Sequence, residues 1–155
     1  MTSWTISEMT PAEQAQTFAL VERCFNEYVR CDLTDAGVTE FFRAAREMIF
    51  ESPSNHFLLV ARADDMIVGM CDVGDFHHIR LFFVESSFHR RGIGRALITA
   101  SERRCLNHHS AEMVMDVNSS LFAEPVYTRL GFAGTDGVQE VNGIRFVPMK
   151  KKLVP

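Results

Sequence analysis

The sequence predicts a mixed α/β sheet of about seven strands and about four helices, antiparallel in its first half, with one parallel pair at strands 4 and 5. Three observations point there. The apolar patterns run in the order strand, two helices, three strands, helix, strand, helix, two strands. The first-half strands are joined by tight turns at Asp64-Asp65 and Gly74-Asp75, connections that suit antiparallel neighbours. In the second half strands alternate with helices, and such crossovers imply parallel pairing there.

Trp4-Thr5-Ile6-Ser7 alternates as a short strand. Thr10-Pro11-Ala12-Glu13 reads as a helix start, with Thr as N-cap, Pro at N1 and Glu closing a capping box. The helix that follows carries Phe18, Val21, Phe25 and Tyr28 on one stripe. A second helix spans Thr34 to Phe50, with Val38, Phe41, Phe42, Ala45 and Ile49 as its apolar face, and Pro53 ends it. Strands follow at His56 to Ala63, Met66 to Val73 and Ile79 to Val84. Gly92 to Cys105 is helical, Met113 to Val117 is a buried strand, and Ala123 to Leu130 is a short helix stopped by Gly131. Ala133–Gln139 and Ile144–Lys151 form a hairpin across Asn142-Gly143.

The chain of 155 residues carries no repeat, low-complexity tract or linker, so residues 1–155 read as a single domain. A net charge of −4 argues against a nucleic-acid partner, which needs concentrated positive charge. No apolar run reaches the ~18 residues of a membrane span, and MTSWTISEMT lacks the basic and apolar regions of a secretory leader. Cys24, Cys31, Cys71 and Cys105 form no C-x-x-C pair, as expected of small buried hydrophobes in a reducing compartment. The expected location is therefore the cytoplasm, with no membrane partner. His77-His78 and His108-His109 lack a further ligand at metal spacing, so no metal is expected.

The informative segment is Val84-Glu85-Ser86-Ser87-Phe88-His89-Arg90-Arg91-Gly92-Ile93-Gly94-Arg95. An apolar strand ends, the chain turns through two glycines, and an amphipathic helix begins. Such a turn aims unpaired amides at one spot, at the positive end of the helix dipole. Arg90, Arg91 and Arg95 surround that spot, which makes it an anion site. The G-K-[ST] of an ATP-binding loop is missing, and Leu97 stands where a dinucleotide-binding loop has its third glycine.

His89-Arg90-Arg91-Gly92-Ile93-Gly94 resembles the [RQ]-x-x-G-x-[GA] pyrophosphate motif of the GNAT (GCN5-related) N-acetyltransferase family, with His in place of the first Arg or Gln. Tyr127-Thr128-Arg129-Leu130-Gly131-Phe132 resembles that family's Y-x-[KR]-L-G-F signature, in the expected order and separation. The resemblance covers nearly the whole chain. It implies acetyl-CoA as co-substrate and a small-molecule or peptide amine as acceptor, and it leaves a homodimer open. It also implies that Phe82, Phe83 and Val84 on the strand, His89 to Arg95 in the turn, and Asn118 and Ser120 near the fifth strand bind the cofactor. Ser120 stands where many members have Asn, with Asn118 close by.

Amide formation from a thioester needs a deprotonated amine, and deprotonating an alkylamine of pKa ~10.4 at neutral pH costs roughly 4 kcal/mol. The leaving thiolate, with a conjugate acid near ~8.5, is helped by a general acid. In similar proteins the signature Tyr lies beside the CoA sulfur, which makes Tyr127 the expected acid. Histone-acetylating relatives place a Glu base at about the distance before the glycine turn where His78 falls. Period-two alternation puts His78, Arg80, Phe82 and Val84 on one face of that strand. An unperturbed imidazole titrates near ~6.5, so a neutral one can accept the proton. Glu85, Asp72, Glu27 and a water chain are the other candidate bases. A non-catalytic acyl-CoA binding or sensor domain is the alternative from another class, and retention of Tyr127 argues against it.

Overall fold

The computed structural model describes residues 3–155, so Met1 and Thr2, the start of the segment read for a leader, lie outside the described residues. The elements are β1 (Trp4–Glu8), α1 (Gln14–Tyr28), α2 (Asp35–Arg46), β2 (His56–Ala63), β3 (Met66–Gly74), β4 (His78–Val84), α3 (Ile93–His109), β5 (Met113–Ser119), α4 (Glu124–Arg129), β6 (Ala133–Gly134), β7 (Gln139–Val141) and β8 (Ile144–Leu153). The sheet runs β1-β2-β3-β4-β5-β8-β6, with β7 paired to β8 alone. Among the described residues, no helix is long and apolar enough to cross a membrane.

Each helix forms where its apolar spacing requires. Pro11–Glu13 makes a 3₁₀ turn leading into α1, and Glu13 Oε1 accepts from the Thr10 amide at 2.9 Å. The Thr34 side chain caps α2 by accepting from the Gly37 amide. A π-helical turn, Glu47–Glu51, extends α2 before Pro53. α1 and α2 cover one face of the sheet, burying Phe18, Leu20, Val21 and Ile49 against Leu58, Val60, Met70 and Leu81. α3 and α4 cover the other, where Ile93, Leu97 and Tyr127 meet Cys71, Ile79, Met115 and Val117. Each fully buried Leu, Ile or Phe contributes about 1.5–3 kcal/mol, so the two layers hold the sheet from both sides.

Three features depart from the sequence reading. First, the strand expected over Ala133–Gln139 divides into β6 and β7, because Thr135-Asp136-Gly137-Val138 turns: Asp136 accepts from the Gly137 amide and from Gln139 Nε2. Second, β8 inserts between β5 and β6 and pairs antiparallel with both, a placement the strand order did not give, while the parallel pair of β4 with β5 is as expected. Third, the alternation along β4 is broken. Leu81 faces Asp72 and Ile79 faces Val73, so Arg80 is an extra, bulged residue. Ile79 therefore shares a face with Phe82 and Val84, in the α3 layer, while Leu81 and Phe83 face α1 and α2. His78, whose partner Asp116 alternates with the buried Met115 and Val117, lies on the α1–α2 face and not with Phe82 and Val84.

The pairing of β4 with β5 is short. It joins His78 to Asp116 and Ile79 to Val117, and β4 then continues to Val84 without β5 beside it. The strands part toward the glycine turn, and that opening positions the site.

Candidate active site at the parting of two strands

The turn after β4 has the geometry of an anion cradle. Ser86–Phe88 forms a 3₁₀ turn, Arg90 adopts φ 62°, and Gly92, at φ 84°, caps α3. The first α3 hydrogen bond runs from the Ala96 amide to the Gly92 carbonyl, so the amides of Ile93, Gly94 and Arg95 have no partner within the helix. A Cβ at Gly92 would meet nothing within 4 Å, which leaves the amides open to approach. His89 does not face the cradle with a free nitrogen: its Nε2 donates to the Val84 carbonyl at 2.8 Å and braces the turn.

A groove of about 480 Å³ starts at this cradle and enters the opening between β4 and β5. Phe82, Phe83, Val84, His89, Arg90, Gly92, Ile93, Gly94, Arg95 and Ser120 line it. Arg91 does not; its guanidinium lies over the Phe88 ring, 4.7 Å from the centroid. Arg129 joins Arg90 and Arg95 instead, and Arg95 reaches toward the Arg129 carbonyl at 3.5 Å. The basic position of the Tyr127-Thr128-Arg129 run was the available signal for it. Ser120 Oγ accepts from the Ala123 amide and so fixes the entry to α4.

A second cavity, about 370 Å³, opens on the α1–α2 side and shares Phe82, Phe83, Ser120 and Ala123 with the groove. It is walled by α2, β4 and the β7–β8 hairpin, and it contains His78, Asn118 and Tyr127. Asn118 thus belongs to this cavity and not to the groove, because residues 114, 116 and 118 alternate away from the α3 layer.

Tyr127 stands on α4, buried between Phe82 and Phe132 with ring centroids 5.7 and 5.5 Å away. Burial pushes its phenol well above the usual value, with proximity to Cys71 adding to the effect, so it stays protonated. Among the described residues its hydroxyl has no hydrogen-bond partner, although the ring lines the cavity.

His78 Nδ1 donates to Asp116 Oδ1 at 2.7 Å, which leaves Nε2 as the free basic nitrogen. His77 Nδ1 lies 3.4 Å from the same oxygen. Asp116 escaped the sequence reading because it is 38 positions from His78 and the register of the parallel pair alone brings them together. The other candidate bases are engaged or remote. Glu85 is bound to Arg23 at 2.9 Å, Asp72 is buried between His56 and Arg80, and Glu27 lines neither cavity. Among the described residues, no cluster of three or more His, Cys, Asp or Glu is placed to hold a metal.

Comparison with known proteins agrees with this geometry. The model of an acetyltransferase (GNAT) domain matches residues 29–153. No curated protein matches the sequence. Among solved structures, a GCN5-related N-acetyltransferase from Rhodopseudomonas palustris superimposes with a TM-score of 0.79 at 21% identity, over 99% of this chain and 98% of that one. The PaiA N-acetyltransferase from Thermoplasma acidophilum, in complex with coenzyme A, gives 0.73 at 15% identity over 97% and 99%. An aminoglycoside 6'-N-acetyltransferase complexed with coenzyme A gives 0.70 at 17% identity over 97% and 98%.

Proposed function

The chain belongs to the GNAT acetyltransferase family, and we propose that it moves an acetyl group from acetyl-CoA to an amine by direct attack, with His78 as general base and Tyr127 as general acid. The observation that carries this reading is the meeting of the two cavities where β4 and β5 part, with the buried Tyr127 phenol and the Asp-held His78 imidazole both lining the second of them.

The groove suits coenzyme A. Three free amides at the start of α3, with Arg90, Arg95 and Arg129, match a pyrophosphate in charge and in donors. The apolar side chains of Phe82, Val84 and Ala123 suit an uncharged arm running inward. When bound, acetyl-CoA supplies the activated acyl group. His78 Nε2 takes the proton that the attacking nitrogen loses as the N–C bond forms. Tyr127 offers its hydroxyl to the sulfur as the C–S bond breaks. Full transfer from a phenol of pKa above ~10 to a thiolate near ~8.5 is uphill by about 2 kcal/mol or more, so the hydroxyl serves first as a hydrogen-bond donor to the developing charge.

Calorimetry with CoA and an acetyl-CoA consumption assay over a panel of amines test the reading together. Binding, turnover with at least one amine, and a kcat about 10²-fold lower in Tyr127→Phe are the expected results. Absence of CoA binding at millimolar concentration overturns it. CoA binding without turnover of any amine favours a sensor domain. Tyr127→Phe at full kcat removes the acid assignment.

A further inference from the structure

Two guanidinium groups stand in the lining of the second cavity, each paired with a carboxylate that is not part of that lining, Arg80 with Asp72 at 2.9 Å and Arg145 with Asp32 at 3.4 Å. Arg80, from the bulge in β4, and Arg145, from β8, both line it beside His78. Glu40 is the carboxylate in that lining, and it is paired with Arg43 at 2.7 Å. A polycationic acceptor would find no free carboxylate in that lining, so nothing there favours it.

Arg80 is held in an unusual way. Its Nε donates to Asp72 Oδ1 at 2.9 Å, and Asp72 is fully buried, its other oxygen accepting from His56 Nδ1 at 2.7 Å. On its other side the guanidinium packs on the backbone of Gly74, where a Cβ would come within 2.8 Å of Nε. A planar fork pinned through Nε has its remaining donors fixed in direction. Among the described residues neither Nη1 nor Nη2 has a partner, and Nη2 is buried. Orphaned buried donors are rare because each forfeits the hydrogen bonds it had with water. The Asp72–His56 anchor accounts for the position of Arg80, and nothing in the protein accounts for its free edge.

We infer that the acceptor is an amine that also carries a carboxylate, a free amino acid with an apolar side chain, its carboxylate on Arg80 and its amine toward His78. The inference rests on the transferase reading and names its substrate class. A carboxylate accepts a charge-assisted hydrogen bond from Nη1, the unpartnered donor of this guanidinium that is not buried. Phe41, Met48, Ile144 and Phe146 supply an apolar wall for the side chain. A cavity of about 370 Å³ lies at the small end of ligand pockets, which suits one amino acid better than an oligosaccharide or a folded peptide. The reaction balances: the ammonium gives one proton to solvent, the neutral amine gives a second to His78 as N–C forms, and the sulfur gains one as C–S breaks. The products are an N-acetyl amino acid and CoA thiol.

Matched pairs test this on the whole protein. Leucine, methionine and phenylalanine are compared with their decarboxylated amines and with leucinamide, following CoA thiol release. Leucinamide controls for basicity, since its amine is the more readily deprotonated. The amino acids are expected to show kcat/KM at least about tenfold above both controls, the range of a charge-assisted hydrogen bond. Arg80→Lys, which keeps the charge for Asp72 and loses the fork, should raise the amino-acid KM and compress that ratio. The wild-type ratios stand as a test even if that variant does not fold. Equal or better turnover of the amines or of leucinamide overturns the inference and leaves the transferase reading intact. No turnover of any compound in the panel, with CoA still bound, overturns both.

Discussion

Replacing Gly37 with Ala would probe how the β7–β8 hairpin is fixed over the acceptor cavity. Gly37 lies in the first turn of α2, and a Cβ there would stand 2.2 Å from the carbonyl oxygen of Gly143 and 2.6 Å from its carbon. Ordinary contact begins near 3.4 Å, so the hairpin tip must retreat by more than 1 Å. Retreat stretches the hydrogen bond from the Thr34 amide to the Gly143 carbonyl, now 3.1 Å, and strains the bridge between Leu33 and Ile144. Overpacking costs about 1–3 kcal/mol, the lost hydrogen bond about 1, and the better helix propensity of Ala returns about 0.5–1. A net loss of about 1–3.5 kcal/mol lowers the melting temperature by about 2–14 °C in a chain of this size. Because Val141, Ile144, Arg145 and Phe146 wall the acceptor cavity and not the groove, the acceptor KM should rise about three- to tenfold while CoA affinity holds. Gly137→Ala is the control, since its Cβ would meet nothing within 4 Å. Thermal melts and bisubstrate kinetics read both effects. A Gly37→Ala protein with parental melting temperature and acceptor KM would refute the docking argument.

Three further outcomes follow from the same geometry. Gly94→Asp places a carboxylate beside the free amides of α3 and should weaken CoA binding by about 100-fold or more by calorimetry; parental affinity would mean that the pyrophosphate lies elsewhere. Asp116→Asn removes the carboxylate charge beside His78 and offers an amide NH2 that can turn the imidazole to the other tautomer, and should lower kcat by about tenfold or more with CoA affinity unchanged, and Asp116→Glu should recover part of it; an unaltered kcat would dismiss the pair. The Arg62 guanidinium, bonded to Glu13, lowers that carboxyl to about 2 from 4.5. A depressed folded-state pKa gives stability that is present above about 4.5 and is lost as pH falls toward about 2, so acid melts of the parent should steepen in that window and those of Glu13→Gln should not.

Much of this molecule is legible in local pattern. The stripe of Phe18, Val21 and Phe25, the capping of α1 by Thr10 and Glu13, and the Asn142-Gly143 turn, with both residues at positive φ, depend on neighbours in sequence. The glycine turn before α3 was legible for the same reason, since its free amides follow from the start of α3 itself. What escaped depends on register between strands. The bulge at Arg80 exists only in relation to Asp72 and Val73, and it moved His78 to the face opposite Phe82. The partnership of His78 with Asp116, and that of Arg80 with Asp72 and His56, join residues that no local period connects. The insertion of β8 between β5 and β6 is a choice among topologies that the pattern of strands alone permits.

The proposed acid, Tyr127, packs in the α3–α4 layer and the proposed base, His78, lies on the α1–α2 face, yet both line one cavity, and that has a physical requirement. Packed layers lie about 10 Å apart, and a continuous sheet between them would separate a phenol in the α3–α4 layer from an imidazole in the α1–α2 layer. Neither group could then act on the same carbonyl. The sheet solves this by ending the β4–β5 ladder after two pairs, so that one opening is reached from both faces. The last rung of that ladder joins Ile79 to Val117, after which the strands part, and the pair of His78 with Asp116 stands one rung behind it. The hydrogen bond between His78 and Asp116 therefore ties the two strands together at the rung behind the opening. Loosening it would blur the position of His78 and the width of the passage together, which is why the Asp116 variants are best read by kcat and CoA affinity in parallel rather than by stability alone.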